Sequence, residues 1–222
     1  PENHFSELKK AAERIIEACS CNEKIAICGD YDADGITSTV LLVEFLTKLG
    51  AKAISFIPSR QDDGYGLNIK MIEEINHKEI KLIITVDNGI SAFEAIKRSK
   101  DYGIDLIITD HHKIPNDYSD TFALIHPERS PYNSPYKYLA GVGIAFLIVK
   151  HISKIVKYEI DNTSAKALFC IGTVADMAPL KGANRKWLKD FLPQINLTSN
   201  KGIKAILKKL SIDNVDITSE DI

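Results

Sequence analysis

The chain runs through Ile25-Ala26-Ile27-Cys28-Gly29-Asp30, an apolar segment that stops at an aspartate, and it repeats this pattern in Leu82-Ile83-Ile84-Thr85-Val86-Asp87 and Leu106-Ile107-Ile108-Thr109-Asp110. Short apolar runs rich in β-branched residues, separated by longer helical patterns, are typical of the buried strands of a parallel sheet. The carboxyl ends of such strands share one edge of the sheet, and ligands bind at that edge. The pattern therefore predicts that aspartates far apart in sequence meet at one place.

The first half of the chain predicts an α/β fold, a doubly wound and mainly parallel sheet with helices on both faces. Strand and helix patterns alternate there in a βαβαβ series. The predicted strands are 24–29, 52–57, 80–86 and 104–109, and the predicted helices are 5–20, 36–49, 68–76 and 91–101.

The second half of the chain predicts a helical segment. Residues 113–138 are irregular and rich in proline, with one short predicted strand at 122–126. We expect one domain over residues 1–210, made of a sheet portion (1–138) and a helical portion (139–210), followed by a polar linker at 211–222. The predicted helices of this half are 139–157, 163–177, 184–191 and 200–209.

The composition is that of a globular protein, with 45% hydrophobic and 26% charged residues among 222. No segment approaches the roughly 18 apolar residues of a membrane span, and the start lacks a signal-peptide pattern, so no membrane partner is expected. The cysteines have no C-x-x-C spacing, which favours free thiols and a cytoplasmic location. The formal net charge of −2 counts acids that a bound metal would neutralise, so it does not exclude a nucleic-acid partner.

Alternating acids follow the first strand, in Asp30-x-Asp32-x-Asp34-Gly35. The same spacing opens the calcium loop of an EF-hand, but that loop needs a glutamate at its twelfth position, where this chain has Leu41. A solvated acidic turn is the remaining alternative. Because alternate side chains of an extended segment lie on the same side, we expect the three carboxylates to point together. Such carboxylates repel one another unless cations lie among them, so the segment is interpreted as part of a metal site.

Further candidate ligands follow two later strands and one helix. Asp87 ends a strand, although it could instead cap the next helix. Asp110-His111-His112 places imidazoles beside a strand-end carboxylate, so that one ring can bind metal while a carboxylate orients it. Asp176 lies near the end of an apolar helix, where an acid is costly unless it is paired, ligating or exposed by fraying. Carboxylate and imidazole ligands favour Mn²⁺ or Mg²⁺ over Zn²⁺, because no thiolate is offered.

Two nucleotide-binding motifs are excluded by the residues they lack. The chain contains no G-x-x-x-x-G-K-[ST] sequence, which excludes a P-loop NTPase. Gly141-x-Gly143 lacks the third glycine and the preceding strand of a dinucleotide fingerprint. We interpret these two glycines as a site of close helix packing.

In the acidic segment after the first strand, and around Asp87, Asp110 and Asp176, the chain resembles the DHH phosphoesterase superfamily. Within that superfamily it resembles the RecJ branch of single-strand exonucleases. The small-substrate branches usually have a histidine where this chain has Cys28, whereas the aspartate at position 30 followed by Tyr31 is the form of the RecJ branch. Exonucleases of that branch also carry C-terminal domains, toward which residues 211–222 are expected to lead. The four family motifs match residues 29–35, 86–89, 110–112 and 172–176, and 139–143 and 64–66 with Arg60 also resemble RecJ segments.

The resemblance implies hydrolysis of a phosphodiester by two metal ions, Mn²⁺ or Mg²⁺, which activate a water and stabilise the leaving oxygen. It implies that Asp87 bridges the two ions. His112 is expected to contact the scissile phosphate, and Asp110 to orient a histidine. The remaining expected ligands are Asp30 and Asp32 on one ion, and Asp34, His111 and Asp176 on the other.

The implied substrate is single-stranded DNA, degraded from its 5′ end in recombination and repair. Arg60 is expected to bind phosphate and Tyr65 to stack on a base, although a solvated loop arginine is an equal alternative for Arg60. A single-strand-binding protein and a helicase are expected partners of the full-length protein. The alternatives are a phosphatase for short oligonucleotides or nucleotide phosphates, and a non-catalytic replication scaffold. A further basic flank is predicted at Lys181, Arg185, Lys186 and Lys189. The alternative is that these side chains are simply solvated.

Overall fold

The structure is a computed structural model that describes residues 1–59, 65–118, 120–158, 162–212 and 217–218. Its centre is a five-stranded, entirely parallel sheet with the strand order β2-β1-β3-β4-β5. The predicted α/β class with a parallel sheet is thereby confirmed. The strands are β1 (Lys24–Cys28), β2 (Lys52–Phe56), β3 (Leu82–Val86), β4 (Asp105–Thr109) and β5 (Ala123–Ile125).

Eight α-helices surround or follow this sheet within the described residues. Several begin at a polar side chain that accepts a backbone hydrogen bond: Asp32 accepts from Gly35, and Asn68 from Met71. The helices are α1 (Leu8–Ser20), α2 (Ala33–Lys48), α3 (Ile69–His77), α4 (Phe93–Asp101), α5 (Gly141–Val156), α6 (Asn162–Ala175), α7 (Gly182–Phe191) and α8 (Lys201–Lys209).

The alternation of side chains along each strand separates two apolar cores. In β1, Ile25 and Ile27 pack on the face covered by α1, α2 and α5, whereas Ala26 and Cys28 pack on the face covered by α3 and α4. β3 and β4 divide their side chains in the same way. Both faces of the sheet are therefore buried from solvent, which explains why its strands are almost continuously apolar.

The helical portion shares the larger of these cores with the sheet. Buried residues of α5, α6, α7 and α8 belong to the same apolar cluster as those of β1, β3 and β4. Ring centroids within this portion lie 5.3 to 5.8 Å apart, at distances suited to edge-on aromatic packing. Helix α5 packs directly beside the strands β3 and β4, and its first residue, Gly141, lies at the carboxyl end of β3. The aromatic residues are Phe146, Phe169, Trp187 and Phe191.

Three local features differ from the sequence predictions. Helix α2 begins at Ala33 rather than at residue 36, because the Asp32 side chain caps it. Two 3-10 helices, Pro127–Arg129 and Leu192–Leu197, lie where no helix of that kind was predicted.

None of the helices in the described part of the chain has the length and apolar character that a bilayer span requires. The predicted domain boundaries stay predictions.

Candidate metal centre

The polar residues that follow β1, β3 and β4 converge at the carboxyl edge of the sheet. Asp30 lies two residues beyond β1, and Asp87 and Asp110 directly follow β3 and β4. Strand order reverses between β1 and β3, where the chain first builds outward to β2 and then returns. A parallel sheet opens a crevice for ligands at such a switch point.

The first group of potential ligands is Asp30, Asp32 and Asp87, whose nearest carboxylate oxygens lie within 4.8 Å of one another. Asp30 is 1% exposed, and its carboxylate oxygens make no hydrogen bond of normal geometry to a described residue, although the backbone N–H groups of Tyr31 and Gly66 act to lower its pKa. Burial and the neighbouring charge of Asp32 raise the pKa of Asp30. Buried carboxylate oxygens without a donor are costly in a protein and are suited to a cation. The residues present therefore fit a metal ion here.

The second group consists of Asp34, His111 and Asp176, again with ligand atoms within 4.8 Å. His111 Nε2 lies 3.0 Å from Asp87 Oδ1, 3.8 Å from Asp34 Oδ2 and 3.9 Å from Asp176 Oδ1. Asp87 therefore touches both groups. A third possible combination joins Asp87 and His111 with His112. The carboxylate oxygens, which are the majority of these donors, are typical of Mn²⁺ or Mg²⁺ sites.

Asp34 connects the centre to the helical portion. Its Oδ2 accepts the backbone N–H of Gly141 at 2.6 Å, and its Oδ1 accepts that of Val142 at 2.8 Å. These two N–H groups open α5 and would otherwise lack an intrahelical partner. Burial and the charge of Asp87 raise the pKa of Asp34 to about 8. A carboxylate held in this way presents its remaining lone pairs toward the centre.

Gly141 is required by the closeness of α5 to Asp87. A Cβ at Gly141 would lie 2.6 Å from Asp87 Cβ and 3.0 Å from Asp34 Oδ2. Contacts that short do not occur between real side chains and a backbone, so only glycine fits. Gly141, one of the two glycines interpreted as a site of close packing, thus lies against the candidate metal centre, whereas Gly143 lies against Leu139.

The backbone around Asp87 is held in an uncommon conformation. Asp87 has φ of +63°, a left-handed value that aspartate and asparagine tolerate better than most residues. Its backbone N–H donates to Thr109, and its carbonyl accepts the Tyr65 hydroxyl at 3.1 Å. Burial and the charge of Asp32 raise the pKa of Asp87 to about 8. Asp87 does not cap α4, because Ala92 occupies the N-cap position.

Asn88 braces the strand ends beside Asp87. Its amide nitrogen donates to the carbonyls of Cys28 and Val86 at 3.0 and 2.8 Å, and its oxygen accepts the backbone N–H of Leu67 at 3.0 Å. These bonds connect the ends of β1 and β3 to the segment that carries Tyr65. Asn88 is 1% exposed, and the low dielectric around it strengthens all three bonds.

Asp110 orients His112 and holds the backbone of both histidines. Its Oδ1 lies 2.8 Å from His112 Nδ1 and accepts the backbone N–H groups of His111 and His112, while its Oδ2 accepts that of Ile90. Burial alone would raise the pKa of Asp110, but these hydrogen bonds outweigh it and lower the pKa. The hydrogen bond with Asp110 raises the pKa of His112 to about 9. In the metal-free protein, the contact with Asp110 therefore favours the protonated form of the His112 ring.

Tyr65, one of the predicted substrate-binding residues, lies at the rim of the centre beside His112. Tyr65 is half exposed, and its ring meets those of Tyr31 and His112 edge-on at 6.3 and 5.9 Å between centroids. Arg60 lies outside the described residues.

The four basic residues predicted as a flank are exposed and lie in α7 or directly before it. Lys186 is paired with Asp190, and Lys181 Nζ lies 5.5 Å from the centre of the Tyr138 ring.

The sequence profile described as "DHH family, N-terminal domain" matches residues 24–173, which is more than half of the chain. The chain belongs to the DHH family. The resemblance that the motifs indicate is thereby confirmed, and all of the strand-end residues described above lie within the part matched by the DHH profile.

Among DHH-family proteins, the chain is similar to exonucleases called RecJ. It is 40% identical to the single-stranded-DNA-specific exonuclease RecJ of Bacillus subtilis (strain 168), over 90% of this chain and 25% of that protein. It is 33% identical to RecJ of Escherichia coli (strain K12), over 100% of this chain and 41% of that protein. The chain therefore spans well under half the length of these curated relatives.

Solved structures show the same relationship in three dimensions. A crystal structure of exonuclease RecJ bound to manganese aligns with a TM-score of 0.85 and 32% identity, over 93% of this chain and 52% of that one. RecJ from Thermus thermophilus in complex with Mn²⁺ aligns with a TM-score of 0.79 and 30% identity, over 92% of this chain and 29% of that one. The DHH-family fold of this chain is accordingly that of the RecJ structures.

One expectation about the centre was wrong. The three acids at positions 30, 32 and 34 do not share one side of an extended segment, because the Asp32 cap turns the chain into α2 before Asp34. Helical geometry sends Asp34 toward α5 and places it in a different ligand group from Asp30.

Sequence reasoning also missed several groups around the centre. It assigned no role to the backbone amides that open α5, to the Asn88 amide or to His126, a buried residue that follows β5. A signal existed for His126, since it ends the short strand predicted at 122–126 in the same way as Asp110 ends its strand. The contacts of the other groups depend on helix placement, which local sequence does not encode.

Proposed function

We propose that this DHH-family chain hydrolyses phosphodiester bonds at a centre of two divalent cations, Mn²⁺ or Mg²⁺, and that its substrate is single-stranded DNA degraded from the 5′ end. The observation that carries the proposal is Asp87, which touches both groups of potential ligands. RecJ structures that contain Mn²⁺ and Mg²⁺ support the choice of cation. The RecJ relatives, named as single-stranded-DNA-specific exonucleases, support the choice of substrate.

The ligand assignments follow from the two groups. Asp30 and Asp32 would hold one cation and Asp34, His111 and Asp176 the other, with Asp87 shared. Bound at these positions, the two cations supply an acidified water and stabilise the charge on the leaving oxygen. The reaction therefore needs no nucleophilic side chain.

The chain's own residues supply orientation and charge. Asp110 maintains the orientation of the His112 ring through Nδ1, so the protonated ring can bind a phosphate oxygen from Nε2 by a charge-assisted hydrogen bond. Tyr65, half exposed beside His112, offers a ring face to a base. Arg60 remains the proposed ligand of a terminal phosphate. A role in recombination and repair, and partnership with a single-strand-binding protein and a helicase, are further parts of this proposal.

The test incubates the purified chain with Mn²⁺ and a 5′-phosphorylated single-stranded DNA and measures released mononucleotides. The matched variant is Asp87→Asn, because asparagine keeps the size and tolerates the left-handed backbone of Asp87. Release by the wild type alone supports the proposal. Release by both proteins points to a contaminating nuclease and contradicts it. A wild type that cleaves only dinucleotides or nucleotide phosphates would replace it with a small-substrate phosphoesterase.

A further inference from the structure

His126 lies next to the backbone of the second histidine of the candidate centre, with its Nε2 2.7 Å from the His112 carbonyl oxygen. It directly follows β5, and the pairing of Thr109 with Ile125 places it beside Asp110. Its side chain is completely buried. A buried histidine needs partners for both ring nitrogens, and the identity of those partners determines where the proton is.

Both ring nitrogens of His126 have backbone partners, and these define its tautomer. Nδ1 lies 3.1 Å from the backbone N–H of Glu128 and must accept from it. Nε2 lies 2.7 Å from the carbonyl oxygen of His112, which can only accept, so Nε2 carries the hydrogen. The ring is therefore the neutral Nε2–H form, and one ring connects β5 and the turn at Glu128 to the backbone of His112.

This contact completes the set of partners around His112. The backbone N–H and the ring Nδ1 of His112 are both bound by Asp110, at 3.0 and 2.8 Å. Its ring Nε2 lies 3.4 Å from the hydroxyl of Tyr65. The carbonyl, held by His126, is the one polar group of His112 that Asp110 and Tyr65 do not reach. Without the bond to its carbonyl, the His112 backbone would be held only on its N–H side, and the Cα that carries the imidazole would be less firmly placed.

We propose that His126 is a positioning residue, which holds the His112 carbonyl and so keeps the His112 imidazole in the orientation required by a substrate phosphate. This rests on the proposed phosphodiesterase function. The acting bond is the one from Nε2 to His112, and the bond from Glu128 to Nδ1 serves only to hold the ring. Nothing in the proposal requires His126 to touch the substrate or a cation.

The two bonds can be separated by substitution. His126→Gln places an amide N–H near the position of Nε2 and retains the donor to His112. His126→Asn places an oxygen near the position of Nδ1 and retains the acceptor for Glu128, but it is too short to reach His112. His126→Leu removes both bonds. His151→Leu is the matched control, since His151 is a buried histidine of α5 whose Nε2 has no hydrogen-bond partner among the described residues.

The experiment measures kcat and KM on 5′-phosphorylated single-stranded DNA with Mn²⁺, together with amide hydrogen exchange at residues 111–113 in the metal-free protein. We expect His126→Leu and His126→Asn to lower kcat by about 10- to 100-fold with little change in KM, and to speed exchange at these amides. His126→Gln should keep kcat and amide exchange near their wild-type values, and His151→Leu should change neither quantity. Melting temperatures verify that each variant is folded.

Two results would overturn the proposal. If His126→Asn restores kcat and His126→Gln does not, the turn at Glu128 matters and the His112 contact does not. If all three variants keep wild-type kcat and exchange, His126 has no positioning role. A wild type without activity would contradict the proposed function instead, and the exchange rates would still decide whether His126 holds the His112 backbone.

Discussion

Asp34 and Gly141, which are 107 positions apart, are joined by a 2.6 Å hydrogen bond from the Gly141 backbone N–H to the Asp34 carboxylate. The bond has two consequences. It satisfies the amino end of α5, and it brings that helix so close to Asp87 that no side chain fits at position 141. The helical portion is therefore part of the wall of the candidate metal centre.

Gly141→Ala should damage metal binding more than stability. The added methyl would lie 2.6 Å from Asp87 Cβ and would push apart the two carboxylates nearest to it. We expect affinity for Mn²⁺ to fall by about 10- to 100-fold, the range typical of changes next to metal ligands. Gly143→Ala is the control, because its methyl would meet the end of the Leu139 side chain instead. Calorimetric titration of both variants measures the effect, and equal affinities would contradict it.

Asp87→Asn should stabilise the metal-free protein and abolish its response to metal. Because burial and neighbouring acids raise the pKa of Asp87, the folded metal-free protein must take up a proton at neutral pH that the unfolded chain has lost, and asparagine removes this cost. We expect the melting temperature without metal to rise by about 2–4 °C, equivalent to ~1 kcal/mol, and added Mn²⁺ to raise it no further. A surface variant, Asp190→Asn, should keep the wild-type response. A metal-dependent rise that persists in Asp87→Asn would remove Asp87 from the ligand set.

Metal binding should release protons near neutral pH. Burial and neighbouring charges raise the pKa of Asp34 and of Asp87 to about 8, from an ordinary value of 3.8. Between these values the folded metal-free protein holds protons that the unfolded chain has lost, so its free energy of unfolding falls as the pH rises. Mg²⁺ should therefore raise the melting temperature more at about pH 8.5 than at about pH 5.5.

The same protons can be counted directly. Calorimetry of Mg²⁺ binding in two buffers with different ionisation enthalpies should show net proton release at neutral pH. Equal heats in the two buffers would mean that both carboxyl groups are already ionised without metal.

Tyr65 should act through its ring on substrate binding. If a base stacks on it, Tyr65→Leu should raise KM for single-stranded DNA about 5- to 150-fold, equivalent to the ~1–3 kcal/mol of one stacked base. Tyr65→Phe keeps the ring and loses the hydrogen bond to the Asp87 carbonyl, so KM should stay near the wild-type value while kcat changes. If the two variants raise KM equally, the hydroxyl and not the ring contributes to binding.

The sequence by itself determined the sheet and the approximate place of the centre. Apolar strands buried on both faces have a clear signature, and parallel strands share an edge, so Asp30, Asp87 and Asp110 could be brought together without coordinates. Three of the four DHH motifs, at residues 29–35, 86–89 and 110–112, lie at these strand ends. Strand alternation wrongly predicted that Asp34 shares one side of an extended segment with Asp30 and Asp32, because a side-chain cap ends that segment before Asp34.

What holds the two groups of acids in place is visible only in the three-dimensional structure. The bond between Asp34 and α5, the brace at Asn88 and the contact from His126 to His112 all join segments distant in sequence. Each depends on the distance at which one helix or loop packs against the sheet, to within about an ångström, since hydrogen bonds weaken steeply beyond their normal length. Periodicity and motif spacing carry no information at that scale, because packing of the whole core determines those distances.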